Sequence, residues 1–390
     1  MKTKLKFLSS FLVCFLLLHY SALTYGQSTV ADSVDTQIHF KGDFRFRVEH
    51  DWKSRKSDGT YRNDRSRLRY RFRFGLTKNL NSSYSIGARI RTGNINDQQG
   101  PHLTIGGGNG EFGLSQIGFE KIYFRFENKH WWAWIGKNDY PFFKQNELLW
   151  NDNVFPEGAA VGWKLKAQNN WQIQPVVGHF IFKSHQQTFD LDAYLFSAQI
   201  KSVWTINPQH RLMANVGNLY FNNMPDIPDG QSTYHMNYHL FNTSFCYEFT
   251  GFRQKISAGF DLFYNTTDYT QEGKMEEAYL NEKTGWVLNV KLGQLKKQSD
   301  FTLEFYYASI DKYAIVDFLA QNDWARWDYS GNNASGSRLS NFSGYEIRAG
   351  YQLTHFFNLI LRYYQIQEKV TPQTFKENGQ RIRLDLNVRF

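Results

Sequence analysis

From residue 38 onward the chain alternates apolar and polar residues with a period of two, the signature of strands with one face in each environment. In IHFKGDFRFRVEH, Ile38, Phe40, Phe44, Phe46 and Val48 share one face, and His39, Lys41, Asp43, Arg45, Arg47 and Glu49 share the other. The segment RSRLRYRFRFGL is stricter: Leu68, Tyr70, Phe72, Phe74 and Leu76 alternate with Arg67, Arg69, Arg71 and Arg73. No helical period fits it. Further strands are predicted at Leu80–Gly93, Ile117–Glu127, Trp131–Asn138, Ala159–Ala167, Trp171–Phe182, Leu191–Lys201 and His210–Phe221. The series continues at Tyr238–Phe249, Lys255–Thr266, Thr284–Leu292, Asp300–Ile310, Gly344–Leu353, Phe356–Gln367 and Gln380–Phe390, giving sixteen strands. Short connections (KNLNSS, AQNN, TINPQH) contrast with long ones around Ser54–Arg65, Ile95–Ser115, Pro141–Gly158, Asn222–Met236 and Lys312–Phe342. An even strand count with unequal connections matches a transmembrane antiparallel up-and-down β-barrel.

Composition separates this all-β fold from a secreted β-sandwich, which the period alone also allows. Aromatic residues make up 17% of the chain, yet mean hydropathy is negative. Sixteen strands with large aromatic faces carry more apolar surface than two packed sheets bury. A barrel places that surface against lipid, and closure removes the open edges that a bilayer excludes. The arginines then have only one direction available. At the bilayer midplane an outward arginine costs about 2–4 kcal/mol, so Arg45, Arg47, Arg67, Arg69, Arg71, Arg73, Arg89, Arg91, Arg381, Arg383 and Arg389 are expected to line the lumen.

The ends of the chain point the same way. Residues 1–26 read as a secretory leader, with Lys2, Lys4 and Lys6 before FLSSFLVCFLLL and then LTYGQ. The apolar run is shorter than the roughly 20 residues of a spanning helix. Residues 27–37 are expected to form a short periplasmic tail, and residues 38–390 the barrel. Without the leader the formal charge falls from +9 to +6 through loss of three lysines. That is moderately basic rather than polyelectrolyte, so no nucleic-acid partner is expected. Cys246 would be the only remaining cysteine, so no internal disulfide forms. RIRLDLNVRF ends with Ile382, Leu384, Leu386, Val388 and Phe390 in phase, which resembles the terminal strand by which the outer-membrane assembly machinery recognises barrels.

Closure makes the last strand pair with the first, so the arginines of strands sixteen, one, two and three are expected to form one basic wall. Asp43, Glu49 and Asp385 interrupt it as ion-pair partners. This wall reads either as a mutually neutralised lining or as a surface favouring anions. The segment YPFFKQNELLWNDNVFPEGAAVGW carries Phe142, Phe143, Leu148, Leu149 and Trp150 beside Glu147, Asp152 and Glu157. Folded into the lumen it would bury its apolar cluster and set the three acids opposite the basic wall as a constriction.

FKGDFRFRVEH, RNDRSRLRYRFRFGL, GARIRTGN, GKNDYPFF and LLWNDNVFPEG together resemble the "Putative porin" family of Bacteroidetes-type outer-membrane β-barrels, most densely between residues 40 and 165. The resemblance implies a porin-like barrel of the outer membrane, with lipid outside and small solutes within. A homotrimer is an expectation by analogy. Polysaccharide or other anionic-substrate export is the nearest alternative. An outer-membrane enzyme is disfavoured: His179, His185, His235 and His239 have no Gly-x-Ser-x-Gly nucleophile, and GGGNG at 106–110 lacks a phosphate-loop lysine. No cofactor and no metal site is expected. An adhesion barrel, its long loops tipped by Trp324, Trp327 and Tyr329, completes the alternatives.

Overall fold

The computed structural model describes residues 37–107, 113–168, 170–225, 235–251, 254–270, 277–321, 323–324 and 340–390. The expected leader, all of the tail but Gln37, and Trp327 and Tyr329 lie outside these residues. Sixteen long strands run in order: β1 (Ile38–Arg55), β2 (Arg65–Asn79), β3 (Tyr84–Thr92), β4 (Ile117–Glu127), β5 (Trp131–Lys137), β6 (Glu157–Trp163), β7 (Trp171–Lys183) and β8 (Ala193–Thr205). The second half comprises β9 (His210–Pro225), β10 (His235–Gly251), β11 (Gln254–Asn265), β12 (Thr284–Gly293), β13 (Phe301–Ile310), β14 (Phe342–Gln352), β15 (Phe357–Glu368) and β16 (Asn378–Arg389). Two short ribbons supplement them: Leu103–Thr104 pairs with β2, and Leu165–Gln168 extends β6 along β7.

Each long strand pairs antiparallel with its sequence neighbours, and β1 pairs with both β2 and β16, which closes the barrel. Every strand expected from the alternation is present. Their ends differ: β1 runs on to Arg55 and β2 starts at Arg65, so the expected Ser54–Arg65 loop is shorter by its flanks. A closed ladder pairs each strand's backbone groups with its neighbours, the condition for crossing hydrocarbon. The apolar side chains stand on the outer face, where Phe40, Phe44, Leu68, Phe119, Ile135, Phe196, Val216, Phe260, Leu303 and Ile382 are exposed to the bilayer.

The closing seam is tight. Gly42 and Phe390 exchange backbone hydrogen bonds of 2.8 and 3.1 Å. The Phe390 ring covers Gly42 so closely that a Cβ there would stand 2.3 Å from it. Phe72 stacks on the same ring at 6.2 Å. Gly42→Val should therefore lower the barrel's stability by up to about 1 kcal/mol, because the exposed Phe390 ring has to move aside. Heat-modifiable gel mobility measures this, with the folded band lost at lower temperature; an unchanged transition would count against the seam's importance.

Candidate functional site

The residue pairing of β16, β1 and β2 stacks their inward side chains into five rungs. From the short-turn end these read Arg389–Asp43–Arg73, Asn387–Arg45–Arg71, Asp385–Arg47–Arg69, Arg383–Glu49–Arg67 and Arg381–Asp51–Arg65. Ten arginines thus face four carboxylates on one wall of the lumen. The period of two builds this directly, since every second residue of each strand points inward.

Each carboxylate ties down more than one arginine. Asp385 receives Arg47 through two bonds, 2.5 and 2.9 Å, and lies 3.6 Å from Arg45. Asp43 takes Arg71 at 2.5 Å and Arg73 at 2.7 Å. Glu49 pairs with Arg67 and lies 3.6 Å from both Arg69 and Arg383. Asp51 pairs with Arg381 and, at 3.0 Å, with Arg65. Glu49, Asp51 and Asp385 are buried against the wall, so the arginines overlie them. Held on one edge, a guanidinium still presents donors from its others.

Next to this wall is a cavity of about 380 Å³. Its lining includes Arg45, Arg47, Arg67, Arg69, Arg71, Arg73, Arg362, Arg381 and Arg383, with Asp97, Glu147, Asp152 and Asp323 as its acids. Arg89 and Arg91 fall outside it. They gather on buried Glu120, 2.6 Å from Arg89 and 4.0 Å from Arg91, and Arg91 lines a neighbouring cavity. His102, on the loop after β3, accepts Arg69 through its backbone oxygen at 3.0 Å. Burial, followed by Arg47, Arg71 and Arg69, holds its imidazole well below the usual histidine range, so it adds no charge.

Two loops narrow the lumen. The first, residues 138–156, leaves the wall where Gly136 (φ 112°) pairs with Gly158 (φ 153°), a backbone conformation that suits glycine. A Cβ at Gly158 would lie 2.1 Å from the His179 oxygen. The loop then reaches to strands β8 and β11. Phe143 and Gln199 exchange bonds of 2.6 and 3.1 Å, and Asn146 donates to Asp261 at 2.6 Å. Phe142, Leu148, Leu149, Trp150 and Val154 pack into one core with Phe180, Leu195 and Phe221 of the barrel. The expected inward fold is thus what the structure contains.

The second loop, residues 311–341, corresponds to the long connection Lys312–Phe342. Its described part turns inward, with Tyr313, Ile315, Phe318 and Leu319 buried in that same core. Asn151 of the first loop donates to the Leu319 oxygen at 2.7 Å, and Gln321 bonds Glu147 through backbone and side chain at 2.8 and 2.9 Å. Trp324 is a correction. It is 2% exposed, with its indole on Glu346 at 3.1 Å and its ring against Phe342 and Tyr364. A buried indole bonded to a buried carboxylate is no adhesive loop tip.

The acids proposed for the constriction divide. Glu147 and Asp152 line the arginine cavity. Glu157 does not: it opens strand β6, is exposed, and pairs with Lys137 at 2.6 Å. Strand pairing begins at Glu157, two residues before the expected strand start at Ala159. Asp51, Arg65, Arg362 and Asp323 belong to the site but were missed. The first three were within reach, because the period of two places them inward: Arg65 opens RSRLRYRFRFGL, Arg362 lies within Phe356–Gln367, and Asp51 directly follows the first segment. Asp323 sits in a loop, where no period operates. Of the histidines, His179 and His239 stand beside Tyr194 and Asn218, and among the described residues no cluster fit to hold a metal occurs.

A closed barrel with an apolar outer face, a charged lumen and inward loops defines an outer-membrane channel. A family model described as "Putative porin" matches residues 58–255, just over half of the chain, and the chain belongs to that family. It is a bacterial outer-membrane porin. Among curated proteins none matches. Solved structures share the fold at low identity. OprB of Pseudomonas putida is 11% identical with a TM-score of 0.53, covering 91% of this chain and 95% of its own. The outer-membrane channel DcaP of Acinetobacter baumannii is 12% identical with a TM-score of 0.51, covering 91% and 97%. OmpT of Vibrio cholerae, described in a trimer form, is 9% identical with a TM-score of 0.51, covering 91% and 99%.

Proposed function

We propose that this porin passes small hydrophilic solutes by passive diffusion and favours anions as they cross the arginine ladder. The observation that carries the reading is the excess of ten arginines over four carboxylates on one luminal wall. Cationic groups in a narrow, low-dielectric passage lower the barrier for anions and raise it for cations. Glu147 and Asp152 of the first inward loop line the same cavity, Asp152 paired with Lys144 of its own loop.

Reconstitution in planar bilayers under a KCl gradient tests this. The wild-type reversal potential should lie on the anion side, and replacing Arg69, Arg71 and Arg73 together by Ser should move it toward cations. Folded protein without conductance would overturn the channel reading; cation preference in the wild type would overturn the selectivity.

The reading contains no catalytic step. The ladder's arginines and carboxylates hold one another in ion pairs, which fixes charge in place. Turnover of lipid or peptide substrates by the folded protein would contradict it. The reading also takes residues 1–26 as an export leader, residues 27–37 as a periplasmic tail and the strand ending at Phe390 as the segment met by the assembly machinery. A homotrimer is the proposed assembly, and the mass of the detergent-solubilised protein decides it.

A further inference from the structure

We propose that Arg381 and Arg383 form an oxyanion-binding site in the lumen, and that Asp323 occupies it as the chain's own competitor for carboxylate or phosphate solutes. The proposal rests on the anion-favouring reading above and adds to it a place, a ligand chemistry and an occupant.

Arg381 and Arg383 are successive inward residues of β16, both buried. Each is held from behind by a carboxylate of β1: Arg381 pairs with Asp51, and the Arg383 Nε lies 3.6 Å from Glu49. Their other nitrogens meet one group. Asp323 Oδ1 lies 3.4 Å from Arg381 Nη1, and Asp323 Oδ2 accepts from Arg383 Nη1. A single carboxylate therefore bridges two guanidiniums, one oxygen to each, as the oxygens of a bound carboxylate or phosphate would. The Arg381 Nη2 atom is buried and makes no hydrogen bond among the described residues.

Asp323 is brought there by its loop and not by the barrel ladder. Its neighbour Trp324 seats the segment, bonded to Glu346 and packed on Tyr364, whose hydroxyl lies 3.4 Å from Arg383 Nη1. Beside the carboxylate the cavity of about 380 Å³ leaves room for a small solute next to Arg67 and Arg69. Protonation does not vacate the site. Burial alone would raise the Asp323 pKa, but Arg383 and Arg381 hold it far below the usual carboxylate range. A competing anion is what displaces it.

The test uses the full-length folded porin in planar bilayers, with malonate and inorganic phosphate as separate probes of ion-current block. Asp323→Asn keeps the side-chain size and removes the competing charge. The half-blocking concentration of at least one probe should fall about tenfold or more, and Arg381→Gln added to that variant should abolish the gain. Gain with malonate alone assigns the site to carboxylates, and with phosphate alone to tetrahedral oxyanions. Should Asp323→Asn fail to fold, Arg383→Gln in the wild-type background should raise the half-blocking concentration of the preferred probe. Equal block by both probes in wild type and Asp323→Asn, or in the Arg383→Gln fallback, overturns the inference. The reversal potential in the same recordings separates the two claims: an anion-side value leaves the porin reading standing, and a cation-side value removes the premise.

Discussion

Glu49→Gln should destabilise the folded barrel by about 3–5 kcal/mol, the range for breaking a buried ion pair by removing one partner. Glu49 is 1% exposed and is the carboxylate shared by Arg67, Arg69 and Arg383. The amide keeps the shape and removes the charge, so three arginines converge with no negative charge between them. Repulsion and unmet desolvation then add. Urea titration of the folded barrel in lipid or detergent measures the loss. A second substitution, Arg69→Gln, should recover part of it, because fewer positive charges then oppose one another, and a double-mutant cycle isolates that coupling. A Glu49→Gln barrel as stable as the wild type would show that the ladder is held by backbone pairing alone.

Trp150→Ala should cost about 3–5 kcal/mol, as expected for emptying a large buried aromatic site. Trp150 is 1% exposed, stacks on Tyr140 at 4.3 Å and donates its indole hydrogen to the Val154 oxygen at 2.9 Å. Its backbone oxygen accepts Lys144 at 2.7 Å. The loss should fall on the 138–156 loop, since the strand ladder contains none of these contacts. Proteolysis at Lys144 should accelerate, and single-channel conductance should rise as the loop leaves the lumen. If both stay at wild-type values, the loop is held by its anchors to Gln199 and Asp261 and not by its aromatic core.

These two substitutions act on features of different legibility. Glu49 stood in plain view: it alternates with Phe46 and Val48, and the cost of turning arginines toward lipid set the direction of its whole face. Arg362 and Asp51 obey the same rule: Arg362 lies inside the expected strand Phe356–Gln367, and Asp51 stands one residue past the segment IHFKGDFRFRVEH. Trp150 was half legible. Its apolar neighbours required burial, and the lumen was the available place, but the bonds to Gln199 and Asp261 join residues far apart in the chain. Glu157 was misplaced for a local reason, since strand pairing with Lys137 begins inside a stretch that reads as loop.

The sequence by itself determined the class of fold, the inward direction of the arginines and their gathering where the last strand meets the first. Each of these follows from a local quantity, the period of two, or from the solvation cost of a charge in lipid. Only the tertiary structure decided which carboxylate serves which arginine, that Arg89 and Arg91 turn instead to Glu120, and that a second loop enters the lumen. It also placed Asp323 on Arg381 and Arg383. Those outcomes depend on contacts between chain segments remote in sequence, for which alternation carries no signal. The arginine wall was therefore visible as a tendency of strands, while its occupant became visible only once the loops were in place.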